Sequence, residues 1–314
     1  MTRRELLVAG GCLALSRLEI PLALATPPKK AFRMAVITDI HHGLAPDAET
    51  RFDAFYEAVH PRKDIDLILQ LGDFCYSDPG SVEFVKKFQS LKPPKIQVLG
   101  NHDMDKCDKT AAMKFWSMKS RYGTHDTRDF LFVWLDLNHF KKNGELVSYA
   151  NGNYFTDNAT YNWADSEQLA WLEQTLLKAK KPVILLSHQP LGFAEPNQSL
   201  PPEQQQIVDL LAKCAKANPK GAVAVSMFGH LHVDRLEHVE NIPFYCVNSA
   251  SYFWSGGMWP YTKPLYAFME FTTDGKLVVE GVQGEFVKTP PKASDSVVGR
   301  SASIDDRAVA LNKA

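Results

Sequence analysis

The sequence has no excess of charge of either sign, because 35 lysine and arginine residues are matched by 36 aspartate and glutamate residues, which leaves a formal net charge of −1. A chain with such balanced charge has no strong basic field to attract nucleic acids or anionic membranes. Neither is expected as a partner unless a local basic patch forms. The chain also contains no P-loop and no G-x-S-x-G motif, so a nucleotide switch and a serine hydrolase have no support. Apolar residues make up 45% of the 314 positions, which is enough for a large core.

Long hydrophobic runs are missing as well, since the apolar stretch at residues 6–15 is too short to span a membrane. Arg3 and Arg4 precede this stretch, and the Ala-Leu-Ala sequence at 23–25 is typical of a cleavage site. Together these features resemble a twin-arginine export signal over residues 1–25, which predicts a periplasmic or extracellular protein. An unstructured cytosolic N-terminus is the alternative. No membrane span is expected in the mature chain.

Cysteine is scarce, with five residues and no C-x-x-C pair, so a zinc site built from cysteines is not expected. Cys12 follows two glycines, as in a lipoprotein attachment site, but Ala9 stands where leucine is usual, so a lipid anchor is not predicted either. Export would permit disulfides. A bridge between Cys75 and Cys107 and four separate thiols in the mature chain are both left open.

Predicted strands and helices alternate through the first part of the chain, while its last part is strand after strand, a pattern that favours an α/β fold. The predicted strands cover residues 33–38, 65–73, 95–100, 129–138, 182–188, 222–230, 243–250, 265–273 and 276–284. The predicted helices cover residues 48–60, a segment that begins after Asp165, and residues 202–217.

Local signals refine this outline. Asp165 is the predicted N-cap of its helix, with Gln168 as its capping-box partner. The Asp-Gly pair at 274–275 predicts a hairpin turn. One domain is expected over residues 31–285, followed by a polar and flexible tail over residues 286–314.

Polar side chains with metal-binding chemistry follow five of the predicted strands. In chain order they are Asp39 with His41, Asp73, Asn101 with His102 and Asp103, His188, and His230 with His232. Ligands of open α/β sheets bind beyond the carboxyl ends of the strands, so we expect these side chains to converge on one rim. Aspartate, asparagine and histidine without cysteine suit Mn, Fe or Zn. The set has enough ligands for two ions that share a carboxylate.

The order of these motifs, D-x-H, G-D, G-N-H-D, a lone H and G-H-x-H, resembles the calcineurin-like metallophosphoesterase superfamily over roughly residues 33–285. The resemblance implies an α/β fold in which a β-sandwich is flanked by helices, four layers in the order α-β-β-α, with a dinuclear metal centre at one end. The single G-N-H-D and the compact length look closer to the purple acid phosphatase and cyclic-nucleotide phosphodiesterase branches than to the protein phosphatases.

The resemblance also implies roles for individual residues. One metal ion would take Asp39, His41, Asp73 and His232, and the other would take Asp73, Asn101, His188 and His230. The two ions, divalent or trivalent Mn, Fe or Zn, would yield a bridging hydroxide that attacks phosphorus. His102 would contact the phosphate and protonate the leaving group.

One position departs from the pattern of the protein phosphatases, which carry an aspartate three residues after the shared carboxylate to orient the catalytic histidine. Tyr76 occupies that position here. A G-D-x-x-Y motif resembles purple acid phosphatases, whose tyrosine binds iron, but those enzymes have glycine in place of His41. We expect His41 to be the ligand and Tyr76 to be a neighbouring hydrogen-bonding or packing residue. Asp103, Asp105 and Asp78 are the candidates to orient His102.

The predicted function is hydrolysis of a small-molecule phosphoester, either a monoester or a diester, at a dinuclear metal centre. The alternative is a metal-binding envelope protein or binding module that does not catalyse. An extended basic and aromatic surface is not evident, so a nuclease is the weaker choice. Among the remaining histidines, His42 is expected nearest the site. The aromatic run at 252–261 is either a loop that contacts substrate or a packed surface loop.

Overall fold

The computed structural model describes residues 31–194, 197–252, 259–288 and 301–312, and the predicted export signal with Cys12 lies outside them. These residues form the strands β1 Phe32–Ile37, β2 Leu67–Gln70, β3 Lys95–Gln97, β4 Gly123–Asp126, β5 Leu131–Trp134, β6 His139–Lys142, β7 Glu145–Ser148, β8 Val183–Leu186, β9 Val223–Phe228, β10 Arg235–Val239, β11 Ile242–Cys246, β12 Ala267–Phe271, β13 Lys276–Gly281 and β14 Arg307–Ala310. They also form the helices α1 Ala48–Val59, α2 Val82–Gln89, α3 Lys109–Phe115, α4 Ser166–Lys178 and α5 Pro202–Ala217.

The strands assemble into two six-stranded sheets and one hairpin. Sheet 1 has the order β14-β13-β12-β1-β2-β3, sheet 2 has the order β10-β11-β9-β8-β5-β4, and β6 pairs with β7. In sheet 1, β1, β2 and β3 run parallel, and in sheet 2 the same is true of β5, β8, β9 and β11. The carboxyl ends of neighbouring parallel strands therefore lie along the same edge of each sheet.

The two sheets pack face to face, and helices cover both outer faces. In β1, Val36 points into the core between the sheets, where it belongs to the same cluster as Ile184 of β8, while its neighbour Ile37 packs on the α1 side with Phe55. Helices α4 and α5 cover the outer face of sheet 2 through residues such as Leu172. Because β1 is covered on both faces, its residues 34–37 form an unbroken apolar run. The four-layer α-β-β-α sandwich is thus confirmed.

The strands and helices expected from the sequence are present, with shorter bounds at several ends, and the Asp-Gly hairpin turn joins β12 to β13, which pair antiparallel. Helices α2 and α3, strands β4 and β10 and the β6–β7 hairpin have no counterpart among the elements predicted from the sequence. All four of these strands lie at a sheet edge or in the separate hairpin, where one-sided burial leaves only a weak apolar pattern.

The predicted cap of α4 forms, but its predicted partner acts elsewhere. Asp165 accepts a hydrogen bond from the backbone N–H of Gln168 at 2.9 Å, as an N-cap should. The side chain of Gln168 is buried and bonds both the backbone N–H and the carbonyl of Asp136, at 2.7 and 2.8 Å. The capping-box prediction for Gln168 is therefore wrong, because its buried amide hydrogen-bonds the backbone of Asp136 and not the N-cap of its own helix.

The predicted tail is wrong over residues 301–312. The strand β14 pairs antiparallel with β13 and extends sheet 1 at its edge. Ile304 and Val309 are buried in the core between the sheets. A few apolar side chains, spaced among polar ones, are enough to anchor an edge strand. The overall polar composition of the segment therefore gave a misleading prediction of a tail.

The cysteines of the described residues are free thiols. Cys75, Cys214 and Cys246 are buried and Cys107 is half-buried. Of the two possibilities left open, the structure contains separate thiols. In the described part of the chain, no helix is long and apolar enough to cross a membrane.

Candidate metal centre

Seven predicted metal ligands, here called the ligand cluster, follow the carboxyl ends of parallel strands from both sheets. They are Asp39 and His41 after β1, Asp73 after β2, Asn101 after β3, His188 after β8, and His230 and His232 after β9. Six of the seven are buried, and His230 is half-buried. The predicted convergence on one rim is therefore what the fold produces, because the two sheets bring these strand ends together.

One group of ligand atoms consists of Asp39, His41 and His232, whose atoms all lie within 4.8 Å of one another. The Nε2 atoms of the two histidines are 3.2 Å apart, and His232 Nε2 lies 3.1 Å from Asp39 Oδ1. Ligands at about 2.1 Å from one cation and at right angles to each other are about 3 Å apart. The spacing therefore fits a single metal ion.

A second group consists of Asp73, His188 and His230. His188 Nε2 lies 3.0 Å from Asp73 Oδ2 and 3.3 Å from His230 Nδ1. His188 Nδ1 donates a hydrogen bond to the carbonyl of Leu71 at 2.8 Å. That bond fixes the tautomer and turns Nε2 toward the carboxylate, the arrangement found around metal-binding histidines.

Asp73 belongs to more than one group of converging atoms, since it also lies within 4.8 Å of ligand atoms of His41 and His102. Burial alone would raise its pKa, but the charges of His188 and His102 hold the pKa of Asp73 well below its usual range. A central, ionised carboxylate with two oxygens is suited to bridge two cations.

The backbone at the ligand cluster adopts a conformation that side chains rarely accept. Asp39, His41, Asp73, His230 and His232 have φ values of 54°, 56°, 50°, 65° and 52°, in the left-handed region. Such positions cost free energy and persist where the surrounding structure imposes them, often at functional sites. Five such residues at one rim indicate that the surrounding structure, and not local backbone preference alone, fixes the conformation of the ligand cluster.

Two glycines allow the close approach of these loops. A Cβ at Gly100 would lie 2.1 Å from Asp73 Oδ1, and a Cβ at Gly72, whose φ is 105°, would lie 2.3 Å from His188 Nδ1. Any side chain at either position would displace a ligand of the cluster. The glycines in G-D and G-N-H-D are therefore required by packing against predicted ligands.

Burial and mutual charge set the protonation states of the cluster. Burial alone would raise the pKa of Asp39, but the charges of His232 and His188 lower it to about 2. Burial lowers the pKa of His41 to about 3 and, with the charge of His188, that of His230 to about 3. His41 and His230 are therefore in the neutral state that binds cations. Burial alone would lower the pKa of His188, but the charges of Asp73 and Asp39 raise it to about 9, so a cation bound there would displace its proton.

Asn101 offers the clearest test of whether the cluster fits a metal. The residue is 4% exposed, and its Oδ1 atom is buried with no hydrogen-bond partner among the residues that the structure describes. A buried amide oxygen left unsatisfied costs about 1–3 kcal/mol. A cation next to the cluster would satisfy it, so the residues present fit a metal centre.

His102 lies beside the cluster and is oriented by Asp105. Its backbone N–H donates to Asp73 Oδ1 at 2.7 Å, and its Nδ1 lies 2.8 Å from Asp105 Oδ2 and 2.8 Å from the Tyr154 hydroxyl. The Tyr154 hydroxyl donates to the other oxygen of Asp105, so its own oxygen accepts from Nδ1. Burial alone would lower the pKa of His102, but Asp73 and Asp105 raise it.

The other two candidates to orient His102 act elsewhere. Asp103 accepts backbone N–H groups of Phe74, Cys75 and Gly100 at 3.0, 3.2 and 2.8 Å, and so ties the loop after β2 to the loop after β3. Burial and the charge of Asp73 raise the pKa of Asp103 to about 7.

Asp78 accepts the backbone N–H of Gly80 and pairs with Lys106, both at 2.9 Å. Tyr76 makes packing contacts: a Cβ on Gly43 would lie 2.6 Å from its ring, and the Lys106 ammonium lies 4.0 Å from the ring centroid. His42, expected nearest the site, instead stacks on Phe84 of α2 and hydrogen-bonds Ser81.

Sequence reasoning missed a set of aromatic residues next to the cluster. A cavity of about 420 Å³ is lined by His102, by members of the ligand cluster, and by an aromatic wall, which we define as Tyr149, Tyr154, Phe155 and Tyr161. The wall comes from the segment after β7, whose alternation of tyrosine, asparagine and glycine is typical of binding loops. That composition could have identified it. The aromatic run considered from sequence has Phe253 and Trp254 outside the described residues.

Comparison with known proteins points to one family and one fold. A family model described as calcineurin-like phosphoesterase matches residues 32–234. A dimetal phosphatase from Danio rerio superposes with a TM-score of 0.60 at 13% identity, covering 90% of this chain and 100% of that one. GAP50, the anchor in the inner membrane complex of Plasmodium, superposes with a TM-score of 0.56 at 14% identity, covering 91% of this chain and 90% of that one. The search of curated proteins gave no match.

Proposed function

Because the chain belongs to the calcineurin-like phosphoesterase family, and is by that membership a phosphoester hydrolase, we propose that it works with two metal ions bound by the ligand cluster. One ion would be bound by Asp39, His41, Asp73 and His232, and the other by Asp73, Asn101, His188 and His230. When bound, the ions would polarise the phosphoryl oxygens and activate water for attack on phosphorus. Their identity is proposed to be Mn, Fe or Zn, since the ligands are carboxylate, amide and imidazole.

The chain's own contribution to the reaction centres on His102. Its Nδ1 hydrogen-bonds Asp105 and Tyr154, which orients the ring, and we propose that Nε2 is the atom that meets the substrate. A proton held on Nε2 can pass to the leaving oxygen, and Asp105 stabilises the charged imidazolium before that transfer. Asp73 fixes the backbone of His102 at 2.7 Å, so the acid and the metal centre share one rigid support.

The observation that carries this proposal is the buried Asn101 Oδ1, which has no hydrogen-bond partner among the described residues while six other ligand residues surround the same rim. A stable fold retains an unsatisfied buried oxygen at a cost, and a cation removes that cost.

Metal analysis joined to turnover tests the proposal. The purified protein is stripped with a chelator and reconstituted with Mn, Fe or Zn, and the metal content per chain is measured together with hydrolysis of a chromogenic phosphomonoester and phosphodiester. We expect two ions per chain, loss of turnover on stripping, and about one ion per chain in Asn101→Ala. The control is His238→Ala, an exposed histidine of β10, which should keep both ions and full turnover.

Three results would contradict the proposal. Wild-type protein could bind fewer than two ions, Asn101→Ala could retain both, or stripping could leave turnover unchanged. Two bound ions without hydrolysis of either ester would instead favour the metal-binding envelope protein that does not catalyse. The two chromogenic esters also decide between monoesterase and diesterase.

We also propose that the protein is exported by a twin-arginine signal, on the strength of Arg3 and Arg4, the short apolar run and the Ala-Leu-Ala sequence. Fractionation of expressing cells tests this. The wild-type protein should leave the cytoplasm, and a variant with both Arg3→Lys and Arg4→Lys should stay there. Wild-type protein retained in the cytoplasm would contradict the proposal.

A further inference from the structure

The cavity beside the ligand cluster has two kinds of lining. His102 and ligand residues such as Asp73 supply polar atoms, while the aromatic wall supplies rings. The ring centroids of His102 and Tyr154 are 5.6 Å apart, so the wall begins next to the residue that would protonate the leaving group. A volume of about 420 Å³ lies within the range of small-molecule sites. A leaving group that is protonated by His102 would therefore lie in the part of the cavity beside the aromatic wall.

The hydroxyl groups of the wall are already engaged with the protein. Tyr149 donates to Asn162 Oδ1 at 3.3 Å, Tyr161 donates to the carbonyl of Thr156 at 2.5 Å, and Tyr154 donates to Asp105. A tyrosine whose hydroxyl is satisfied within the fold offers a ligand mainly its ring. The wall is thus an apolar aromatic surface, although three of its four members carry a polar group.

Phe155 is the exposed member of this surface. The residue is 82% exposed, which is the highest value among the exposed large apolar residues in the described part of the chain. Its ring lies 4.7 Å from that of Tyr154, at an interplanar angle of 50°. A neighbouring Tyr149 ring lies 5.1 Å from Tyr154, so the three rings form a continuous row. An exposed aromatic side chain beside a cavity provides an apolar surface on which the ring of a ligand can stack.

The charge of the lining narrows the class of leaving group. Among the described residues that line the cavity, none is a lysine or an arginine. A leaving group that carries a second phosphate or a carboxylate would find no lysine or arginine in this lining to pair with, which makes its burial costly. An uncharged leaving group has no such cost.

We propose that the aromatic wall is the binding site for the leaving group, and that the preferred substrates are phosphoesters whose leaving group is uncharged and contains a planar aromatic ring, stacked against Phe155. An aryl alcohol and a nucleoside both have this chemistry. The proposal rests on the phosphoester hydrolysis proposed above. It assigns substrate selection to the segment after β7 and leaves the chemical step with the ligand cluster and His102.

Matched aromatic and saturated esters test the proposal in the metal-loaded enzyme. Phenyl and cyclohexyl esters have the same ring size, but only the phenyl ring is planar and can stack. We expect Phe155→Ala to lower kcat/KM for the phenyl ester by about 10- to 100-fold, the scale of one lost stacking contact, and to change the cyclohexyl ester much less. Taking the ratio of variant to wild type for each ester removes their different intrinsic reactivities. Phe155→Tyr should retain the preference.

The control is Leu177→Ala, which removes an apolar side chain that is also exposed, on α4 and not in the lining of the cavity. It should leave both esters unaffected. Equal losses for the two esters in Phe155→Ala, or no loss for either, would overturn the proposal.

A binding measurement separates this proposal from the proposed function. Calorimetric titration of the metal-loaded protein with 2-naphthol requires no turnover. We expect binding that weakens by about 10-fold or more in Phe155→Ala and is unchanged in Leu177→Ala. If no ester is hydrolysed but 2-naphthol binding depends on Phe155, the wall stands and the catalytic proposal fails. If esters are hydrolysed but binding is absent or independent of Phe155, the wall proposal fails alone.

Discussion

The ligand cluster and the aromatic wall line the same cavity, but the fold holds them by different means. Members of the cluster follow strands buried in two sheets, and five of them have left-handed backbone conformations. The wall follows a separate two-stranded hairpin, and its exposed member, Phe155, has most of its surface in solvent. A rigid core can impose strain on residues that perform chemistry, whereas a loop can vary and so determines what is bound.

Two residues connect these sides of the cavity. Tyr154 belongs to the wall and hydrogen-bonds His102 beside the cluster. Asn138 directly precedes β6 and donates to the carbonyl of Leu99 at 2.9 Å, just before Gly100 and Asn101. The comparison predicts that changes at the cluster side act on turnover, that loss of a ring from the wall acts on substrate choice, and that loss of the connecting Tyr154 hydroxyl acts on turnover.

The largest effect is expected at His102. His102→Ala should lower kcat by about 10²–10⁴-fold, the usual scale for a lost general acid, and should leave the metal content unchanged. Asn101→Ala, one residue away, should instead lose metal. Elemental analysis together with kcat for both variants checks this division. Equal metal loss in the two variants would show that the acid and the ligands are not separable.

The next largest effect, on the free energy of unfolding, is expected at Asp136, which lies just before the β6–β7 hairpin. Asp136 is fully buried, and its Oδ2 lies 2.6 Å from Lys109 Nζ and 3.1 Å from Arg121. Lys109 also donates to the carbonyl of Asn138 at 3.1 Å. Asp136→Asn leaves the buried Lys109 without its carboxylate, while the half-buried Arg121 keeps its pair with Asp165, and we expect the free energy of unfolding to fall by about 3–5 kcal/mol.

The same pair predicts a pH dependence. Burial alone would raise the pKa of Asp136, but the charges of Lys109 and His139 hold it well below its usual range. Since the folded-state pKa lies below the unfolded value of about 3.9, the stabilisation is complete at neutral pH and is lost as the pH falls through the acid range.

Urea unfolding at several pH values measures both effects. Between about pH 5 and 3, the unfolding free energy of the wild type should fall more steeply than that of Asp136→Asn. Asp126→Asn is the matched control, because Asp126 pairs with Lys181 at 2.7 Å on the surface and should contribute less than about 1 kcal/mol. Similar small losses in both variants would refute the structural role of Asp136.

The smallest effect is expected at the Tyr154 hydroxyl. Tyr154→Phe keeps the ring of the wall but removes the hydrogen bonds to Asp105 and His102, so kcat should fall by about tenfold while KM for an aromatic ester stays nearly constant. Steady-state kinetics measures this split. Tyr122→Phe, which removes a surface hydroxyl bonded to Glu167, should change neither constant. A raised KM with unchanged kcat in Tyr154→Phe would place its hydroxyl in binding.

Much of the chemistry of the site was readable from local sequence. A buried strand followed by Gly-Asp or Gly-Asn-His-Asp places its polar residue within three or four positions of the strand end, so Asp73 and Asn101 could be located without a structure. The order of the motifs then predicted the family and the four-layer sandwich. By contrast, Gln168 was assigned to a local cap because the sequence cannot show that Asp136, 32 residues away, lies beside it.

The sequence by itself determined which residue types meet at the rim, because strand ends and glycine turns are local features. Only the tertiary structure decided that Asp105 orients His102 while Asp103 ties two loops together, since both lie within three residues of His102 and differ in what packs against them. The same holds for the aromatic wall, where Tyr154 reaches a residue 52 positions away. Contacts at such separations depend on how sheets and loops pack, and a pattern of neighbouring residues does not encode them.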